Sequence, residues 1–197
     1  MSDPATLAFY EKQAPGLTLS SAQGPSPGLD AFLDRLKPGA DILELGCGTG
    51  RDAARMLERG FKVDATDGAA AMVRKANERH RVGARQMRFD ELAADAKYDA
   101  VWAQACLLHV ARAGLPEVLR RIHRALRPGG QHFATFKLGS GEGRCLLGRL
   151  HNFPSEDWLL DRYHDAGFAI QSSEVHDGQG ADGTVRDWAA IVAFKLD

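Results

Sequence analysis

Short apolar stretches alternate with amphipathic stretches along most of the chain. Short apolar runs rich in β-branched residues are typical of buried strands, and apolar positions three and four residues apart are typical of helices packed on a sheet. The pattern predicts seven strands, at 41–45, 61–66, 84–89, 98–105, 131–137, 168–175 and 185–196. It predicts five helices, at 29–36, 51–59, 69–79, 115–126 and 155–165.

This alternation predicts a Rossmann-like, doubly wound α/β fold with three layers, in which helices cover both faces of a mostly parallel sheet. A helix between two strands of one sheet makes a right-handed crossover and keeps the strands parallel. The last two predicted strands have no helix between them, so we expect a hairpin that makes the last strand antiparallel. Functional residues are expected beyond the carboxyl ends of the strands.

The N-terminal region has a high density of residues that interrupt helices and strands. Residues 14–28 contain three adjacent pairs of proline and glycine, which predict irregular structure. We therefore divide the chain into an arm at 1–28 and a domain at 29–197. The arm either folds over the site as a lid or forms a disordered terminus.

Composition and charge narrow the classes of function. A chain of 197 residues suits one α/β domain, and its net charge of −1 lacks the positive field typical of nucleic-acid binding. The basic residues between 74 and 88 have no interleaved aromatic residues, so a solvated helix face explains them better than an RNA surface. The three cysteines are far apart and predict neither a disulfide framework nor a metal site.

The sequence also lacks the signals of export and membrane insertion. No apolar stretch approaches the length that spans a bilayer, and the first residues do not have the pattern of an export signal. We therefore expect a cytoplasmic protein without a membrane partner. The oligomeric state cannot be read from the sequence.

Three glycines at alternate positions follow the first predicted strand. They lie in the segment Glu44-Leu45-Gly46-Cys47-Gly48-Thr49-Gly50, immediately before a predicted helix. Glycines let the main chain turn sharply and approach a ligand, and the free N–H groups of a helix N-terminus stabilise a carboxylate. A glycine loop by itself is equally consistent with a tight turn.

This segment resembles the first motif of the class I S-adenosylmethionine-dependent methyltransferases, in which an acidic residue and alternate glycines follow an apolar strand. The resemblance extends from Asp30 to Leu196 in element order, and it implies an antiparallel seventh strand beside the fifth. It also implies S-adenosylmethionine as cofactor and a small-molecule methyl acceptor. The segment 48–52, Gly-Thr-Gly-Arg-Asp, is similar to the small tellurite-resistance-type and thiopurine-type enzymes.

The resemblance implies cofactor contacts from the ends of the first four strands. They are Glu44, Gly46, Cys47, Gly48, Arg51, Asp67, Gly68, Met72, Asp90, Glu91, Leu92 and Gln104. Asp67 is expected to accept hydrogen bonds from both ribose hydroxyls, and an N-cap for the next helix is an equally good role by residue type. Met72 is expected to contact the adenosine or to be an ordinary core residue. Arg51 either pairs with the cofactor carboxylate or bonds to Asp52 or a neighbouring loop.

The third and fourth strands carry the other implied contacts. Asp90 is a better candidate than Glu91 to accept a hydrogen bond from the adenine amino group, with a following backbone N–H reaching the ring. A solvated acidic turn explains both residues nearly as well. Gln104 stands where the family passes the methionine part of the cofactor, but members often have Asn or Ser there, so its role stays open.

The acceptor side of the site is less defined. Methyl transfer from a sulfonium is an in-line displacement, so the protein has to align two reactants and exclude water. His109 is the best-placed catalytic base, and its structural alternatives are capping the next helix or bonding a backbone carbonyl. The candidate acceptor contacts are Tyr10, Lys137, Arg144 and Arg149. The three cations, Lys137, Arg144 and Arg149, favour an anionic acceptor, whereas a solvated surface loop is the alternative explanation.

Two other functions stay open from the sequence. A nicotinamide-dependent oxidoreductase would also use Asp67, but its glycine fingerprint requires glycine at position 51, which is Arg51. A regulatory protein that binds the cofactor without catalysis would keep all of the binding residues. The identity of the acceptor cannot be read from the sequence.

Overall fold

The computed structural model describes residues 3–13, 24–180 and 183–196. In these ranges the helices are α1 (Pro4–Gln13), α2 (Leu29–Leu33), α3 (Arg51–Glu58), α4 (Ala70–His80), α5 (Leu115–Ala125) and α6 (Glu156–Asp165). The strands are β1 (Asp41–Leu45), β2 (Lys62–Asp67), β3 (Arg85–Gln86), β4 (Tyr98–Ala103), β5 (Leu126–Lys137), β6 (Glu142–Arg144), β7 (Leu150–Asn152), β8 (Phe168–Gln179) and β9 (Val185–Lys195). Single turns of 3-10 helix lie at Phe89–Glu91 and Leu107–His109.

Seven strands form the main sheet, in the order β3-β2-β1-β4-β5-β9-β8. The strands β1 to β5 are parallel to one another, and β9 is antiparallel to both β5 and β8. The predicted fold is therefore confirmed, including the antiparallel last strand beside the fifth. The order reverses between β1 and β4, which creates the crevice where such sheets bind ligands.

The buried residues of each strand alternate between two helical layers. In β4, Val101 and Ala103 pack in the same core cluster as α5 and α6, whereas Ala100 and Trp102 pack in the cluster of α2 and α3. Side chains of a strand point to opposite faces in turn, so both faces of this strand are covered. The continuous apolar run that β4 has in the sequence follows from this double burial.

The structure differs from the sequence prediction in three elements. β3 is only two residues long, because the chain after Gln86 turns into the 3-10 helix Phe89–Glu91. The loop predicted after β5 contains the hairpin β6–β7. The sequence pattern did not predict α1, which has hardly any apolar face. Most of the predicted irregular segment 14–28 lies outside the described residues.

Polar contacts hold the segment before α2 against the sheet. The buried carboxylate of Asp52 accepts hydrogen bonds from the Ser26 backbone N–H at 2.8 Å and from Trp102 Nε1 at 3.0 Å. Removing this carboxylate would leave two buried donors without a partner, which is unfavourable. Among the described helices, none is long and apolar enough to cross a membrane.

Candidate active site

A cavity of about 770 Å³ opens at the carboxyl ends of the central strands. The loop after β1 and the end of β2 form one wall. Residues of α1, including Leu7 and Tyr10, cover a second side, and His176 and Trp188 of the β8–β9 hairpin reach it from a third. The cavity therefore lies at the position that the strand order favours for a ligand.

The glycine loop has the backbone conformation that its sequence predicts. Gly46, Gly48 and Gly50 have φ angles of +68°, +56° and +83°, a region that residues with a Cβ rarely adopt. A Cβ on Gly46 would lie 2.5 Å from Cys106 Cβ. The backbone N–H of Cys47 donates to the Thr66 carbonyl at 2.8 Å, which ties the loop to β2.

Asp67 joins the glycine loop to the start of α4. Its carboxylate accepts hydrogen bonds from Gly48 N at 3.0 Å and from Ala69 N at 2.9 Å. Burial raises the pKa of Asp67 to about 6, against the two backbone hydrogen bonds that lower it. The side chain therefore makes contacts at the helix N-terminus while it also lines the cavity.

Glu44 and Cys47 are buried acidic groups in the same wall. Burial, with the charges of Asp52 and Asp67, raises the pKa of Glu44 well above its usual range. Burial likewise raises the pKa of the Cys47 thiol. In both groups burial therefore disfavours the charged form.

Most of the predicted cofactor contacts lie together around the cavity. The lining residues include Glu44, Gly46, Cys47, Gly48, Arg51, Asp67, Gly68, Met72 and Gln104. Arg51 Nη2 donates to Ser26 Oγ at 2.8 Å, and its Nε lies 3.7 Å from the Asp52 carboxylate. The loop contact that the sequence offered as an alternative for Arg51 is thus present.

Asp90, Glu91 and Leu92 do not line the cavity. The 3-10 turn directs Glu91 back to Arg88, where it accepts from the backbone N–H at 2.7 Å, and Leu92 packs in the core. The preceding residues 87–89 line the cavity instead. The residues of this segment that reach the cavity are therefore 87–89, and the predicted residues 90–92 lie beyond it.

A chain of hydrogen bonds connects Arg149, Tyr10 and His109 at the cavity. His109 Nδ1 lies 2.7 Å from the Leu150 carbonyl, so this nitrogen carries the proton and donates. Tyr10 Oη donates to His109 Nε2 at 3.0 Å and accepts from Arg149 Nη1 at 2.9 Å. Burial lowers the pKa of His109 to about 4 and raises the pKa of Tyr10.

The three predicted cations after β5 have different positions. Lys137 and Arg149 are buried, with 3% and 4% exposure, and both line the cavity. Arg144 does not line it, because its guanidinium pairs with both carboxylate oxygens of Asp3, at 2.9 and 3.0 Å. Arg144 thus holds α1 against β6, and the predicted acceptor contact is wrong in its position. Among the described residues no group of metal-binding side chains is found.

Comparisons with known proteins decide the family. A family model described as a methyltransferase domain matches residues 42–130. The cypemycin N-terminal methyltransferase of Streptomyces sp is 32% identical over 165 residues, covering 76% of this chain and 67% of the relative. The chain belongs to the class I S-adenosylmethionine-dependent methyltransferases.

Other similar proteins agree with a methyltransferase. Trans-aconitate 2-methyltransferase of Deinococcus radiodurans is 31% identical over 108 residues, covering 54% of this chain and 41% of the relative. The 1,6-didemethyltoxoflavin-N1-methyltransferase of Burkholderia thailandensis, crystallised with S-adenosylhomocysteine, has a TM-score of 0.77 and 23% identity, covering 100% of this chain and 92% of that one. The cofactor of this methyltransferase is S-adenosylmethionine, and the oxidoreductase alternative is not favoured.

The cavity of the methyltransferase fits this cofactor. Gln104 Oε1 and Glu44 Oε2 are buried and have no hydrogen-bond partner among the described residues. Buried polar atoms are rarely left without partners, so a ligand with donor groups suits this wall. Gly46 and Gly48 line the cavity and carry no side chain that could fill it. Which atoms each residue contacts stays a prediction.

Several residues that line the methyltransferase cavity were not found from the sequence. They are Asp3, Thr6, Leu7, Ser26, Thr135, His151, His176, Gly178, Gln179, Gly180 and Trp188, with others near the loops. Most come from α1 and from the β8–β9 hairpin, which are distant in sequence from the glycine motif. No local sequence signal identifies them, since only the packing of these elements brings them to the cavity.

Proposed function

We propose that this protein transfers a methyl group from S-adenosylmethionine to a small anionic acceptor. When bound, the cofactor supplies an electrophilic methyl group on its sulfonium. The observation that carries the anionic acceptor is the pair of buried cations, Lys137 and Arg149, in the cavity wall. A buried cation is stabilised when an anion is near it. The name of the trans-aconitate relative, which specifies a small acid as acceptor, supports this choice.

In this proposal the glycine loop and β2 hold the cofactor. The main chain at Gly46 and Gly48 approaches it closely, and Asp67 accepts hydrogen bonds from the ribose hydroxyls. Gln104 contacts the methionine part, and residues 87–89 form the adenine side. The polar wall and the apolar side chains around it align the donor for in-line transfer and exclude water.

The acceptor side works through the hydrogen-bonded chain of Tyr10 and His109. Nε2 of His109 carries the free lone pair, because Nδ1 donates to the Leu150 carbonyl. The acceptor gives its proton to Tyr10 Oη, while the Tyr10 proton passes to Nε2. An anionic acceptor nearby raises the pKa of His109 from about 4 and makes it a better base.

The N-terminal helix α1 closes the cavity as a lid. It contacts both halves of the site, since Glu11 accepts from the N-terminus of α4 and Thr6 Oγ1 accepts from Leu150 N at 2.9 Å. The Asp3–Arg144 ion pair and the Tyr10 hydrogen bonds add to these contacts. Opening therefore requires several polar groups to exchange their partners for water.

Two experiments test the proposed function in sequence. Thermal unfolding is measured with S-adenosylmethionine, S-adenosylhomocysteine and NAD, and only the first two are expected to raise the Tm. Release of S-adenosylhomocysteine is then measured with a panel of small organic acids and their neutral amides. Stabilisation by NAD alone contradicts the cofactor, and turnover confined to the neutral amides contradicts the anionic acceptor.

Asp67→Asn is expected to weaken S-adenosylhomocysteine binding by roughly 10- to 100-fold, because one strong ionic acceptor for the ribose is lost.

In the wild type, the affinity for S-adenosylhomocysteine is expected to fall by up to about tenfold per pH unit below the Asp67 pKa of about 6, since protonation removes the carboxylate charge. The charge of Glu11 adds to burial in raising the pKa of Asp67. Calorimetric titrations from pH 5 to 8 measure both effects.

Asp64→Asn is the matched control for this variant. Asp64 lies on the same strand but pairs with Arg85 at 2.8 Å and does not line the cavity. Its replacement is expected to leave cofactor affinity and the pH dependence unchanged. If both variants bind as the wild type does, the ribose contact at Asp67 is wrong.

A further inference from the structure

Arg149 uses only part of its hydrogen-bonding capacity. Its Nη1 donates to Tyr10 Oη at 2.9 Å, whereas Nε and Nη2 are buried and have no hydrogen-bond partner among the described residues. The rings of Phe9 and Tyr10 lie 5.1 and 5.8 Å from the guanidinium carbon. No described carboxylate forms an ion pair with it. The thiol of Cys145 is also in hydrogen-bonding contact with the guanidinium, but sulfur is a weak acceptor beside a carboxylate.

The two donors without partners belong to the same edge of the guanidinium. Nε–H and one Nη2–H point in parallel from that edge, and their spacing matches the two oxygens of a carboxylate. A buried charged donor without an acceptor destabilises the protein, and this free-energy penalty is larger than the net contribution of a neutral hydrogen bond. The edge is therefore suited to a planar anion with two oxygens in one plane.

We propose that the Nε–Nη2 edge of Arg149 binds a carboxylate of the methyl acceptor, which makes the acceptor a carboxylic acid. This inference rests on the proposed function and names the chemical class of its substrate. Tyr10, bonded to Nη1, fixes the plane of the guanidinium and thereby the direction of the carboxylate. Phe9 and Tyr10 of α1 cover the bound group, so the acid enters before the helix closes.

The probe for this site is acetate, because it carries the carboxylate without assuming a carbon skeleton. Acetate is titrated into the protein saturated with S-adenosylhomocysteine, and the Nε–H resonances of the arginines are followed by 15N NMR. The Arg149 resonance, assigned by its loss in Arg149→Lys, is expected to move downfield. Acetamide and phosphate serve as a neutral isostere and a tetrahedral anion, and neither is expected to reproduce the shift.

Arg149→Lys keeps the charge but removes the paired donors, so acetate affinity is expected to fall by roughly 10-fold or more. Arg120→Lys is the control, because Arg120 is an exposed residue of α5 that pairs with Glu117. Its variant should bind acetate as the wild type does. Equal acetate affinity in Arg149→Lys, or a shift of Arg149 by phosphate and not by acetate, overturns the carboxylate proposal.

Binding of S-adenosylhomocysteine is measured separately on the same samples. If this ligand does not raise the Tm of the wild type, the proposed function fails at the cofactor. If it binds while acetate leaves Arg149 unaffected, only the substrate class fails. The two failures are therefore distinguishable.

Discussion

Gly46→Ala is expected to lower the free energy of unfolding by about 3 kcal/mol and to abolish measurable binding of S-adenosylmethionine. The added Cβ would lie 2.5 Å from Cys106 Cβ and 3.1 Å from its Sγ, at a φ of +68°. Cys106 does not move aside easily, because it is buried and its thiol donates to the Leu45 carbonyl at 3.0 Å. The loop must shift instead, and the main chain then leaves its position at the cavity. Urea unfolding and calorimetric titration measure the two effects.

Gly60→Ala separates backbone strain from the steric clash. Gly60 has a φ of +82°, and nothing lies within 4 Å of its added Cβ. The free energy of unfolding of this variant is expected to fall by only about 1 kcal/mol, because alanine disfavours the left-handed conformation. In a Cys106→Gly background the clashing side chain is absent, so Gly46→Ala should lower the free energy of unfolding by about as much as Gly60→Ala does. If Gly46→Ala is no more destabilising than Gly60→Ala in the native background, close packing of the loop is not what requires glycine.

His109→Gln is expected to reduce kcat by about 100-fold or more, because an amide cannot take up a proton. The kcat is measured with an acceptor that the wild type methylates. Nε2 of His109 accepts from Tyr10, and the buried imidazole is neutral at all pH values above its pKa of about 4. The kcat/KM of the wild type for the acceptor, measured with saturating cofactor, reports the enzyme before the acceptor binds, so it should show no acid limb near pH 6.5. S-adenosylhomocysteine release gives the rates.

His132→Gln is the control for a buried histidine outside the cavity. Burial lowers the pKa of His132 to about 4, as for His109, but its ring bonds to the Val101 carbonyl and to Tyr163 Oη within the core. Its replacement is expected to lower stability and to leave kcat within a few-fold of the wild type. Equal losses of kcat in the two variants would show that His109 acts through the fold and does not take the proton.

Both histidines also affect stability at low pH. A histidine whose folded pKa lies below its unfolded value binds fewer protons in the folded state, so stability is lost as pH falls from about 6.5 toward 4. The raised pKa values of Asp67 and Glu44 act in the opposite direction over an overlapping range. These opposing effects partly offset each other in the wild type, and single variants are needed to separate them.

The cavity wall that contains the glycine loop and Asp67 was largely predictable, since its determinants are local. The motif from Glu44 to Gly50 specifies a strand, a turn with left-handed glycines and a helix start within a few residues. Asp67 follows the next strand, and parallel strands with their carboxyl ends at one edge bring the two segments together. Residues 87–89 line the cavity in place of Asp90 because the chain forms a single 3-10 turn there. The sequence of a short polar segment does not predict such a turn.

The acceptor half depends on contacts between distant parts of the chain. Tyr10, His109 and Arg149 are hydrogen-bonded although residues 10 and 149 are separated by most of the sequence. Arg144 and Arg149 have the same chemistry and lie on one hairpin, but one pairs with Asp3 and the other is buried without a carboxylate. The sequence of a glycine-rich loop does not show which of its cations will be buried at the cavity and which will form an ion pair elsewhere.

By itself, the sequence determined the sheet, the glycine loop and the acidic residue after β2, because backbone geometry and hydrophobic periodicity act over neighbouring residues. Only the tertiary structure decided which cations face the cavity, which nitrogen of His109 faces the Leu150 carbonyl, and that residues of α1 line the cavity. These depend on burial and on hydrogen bonds between elements far apart in sequence, and such contacts form only when the whole domain is packed.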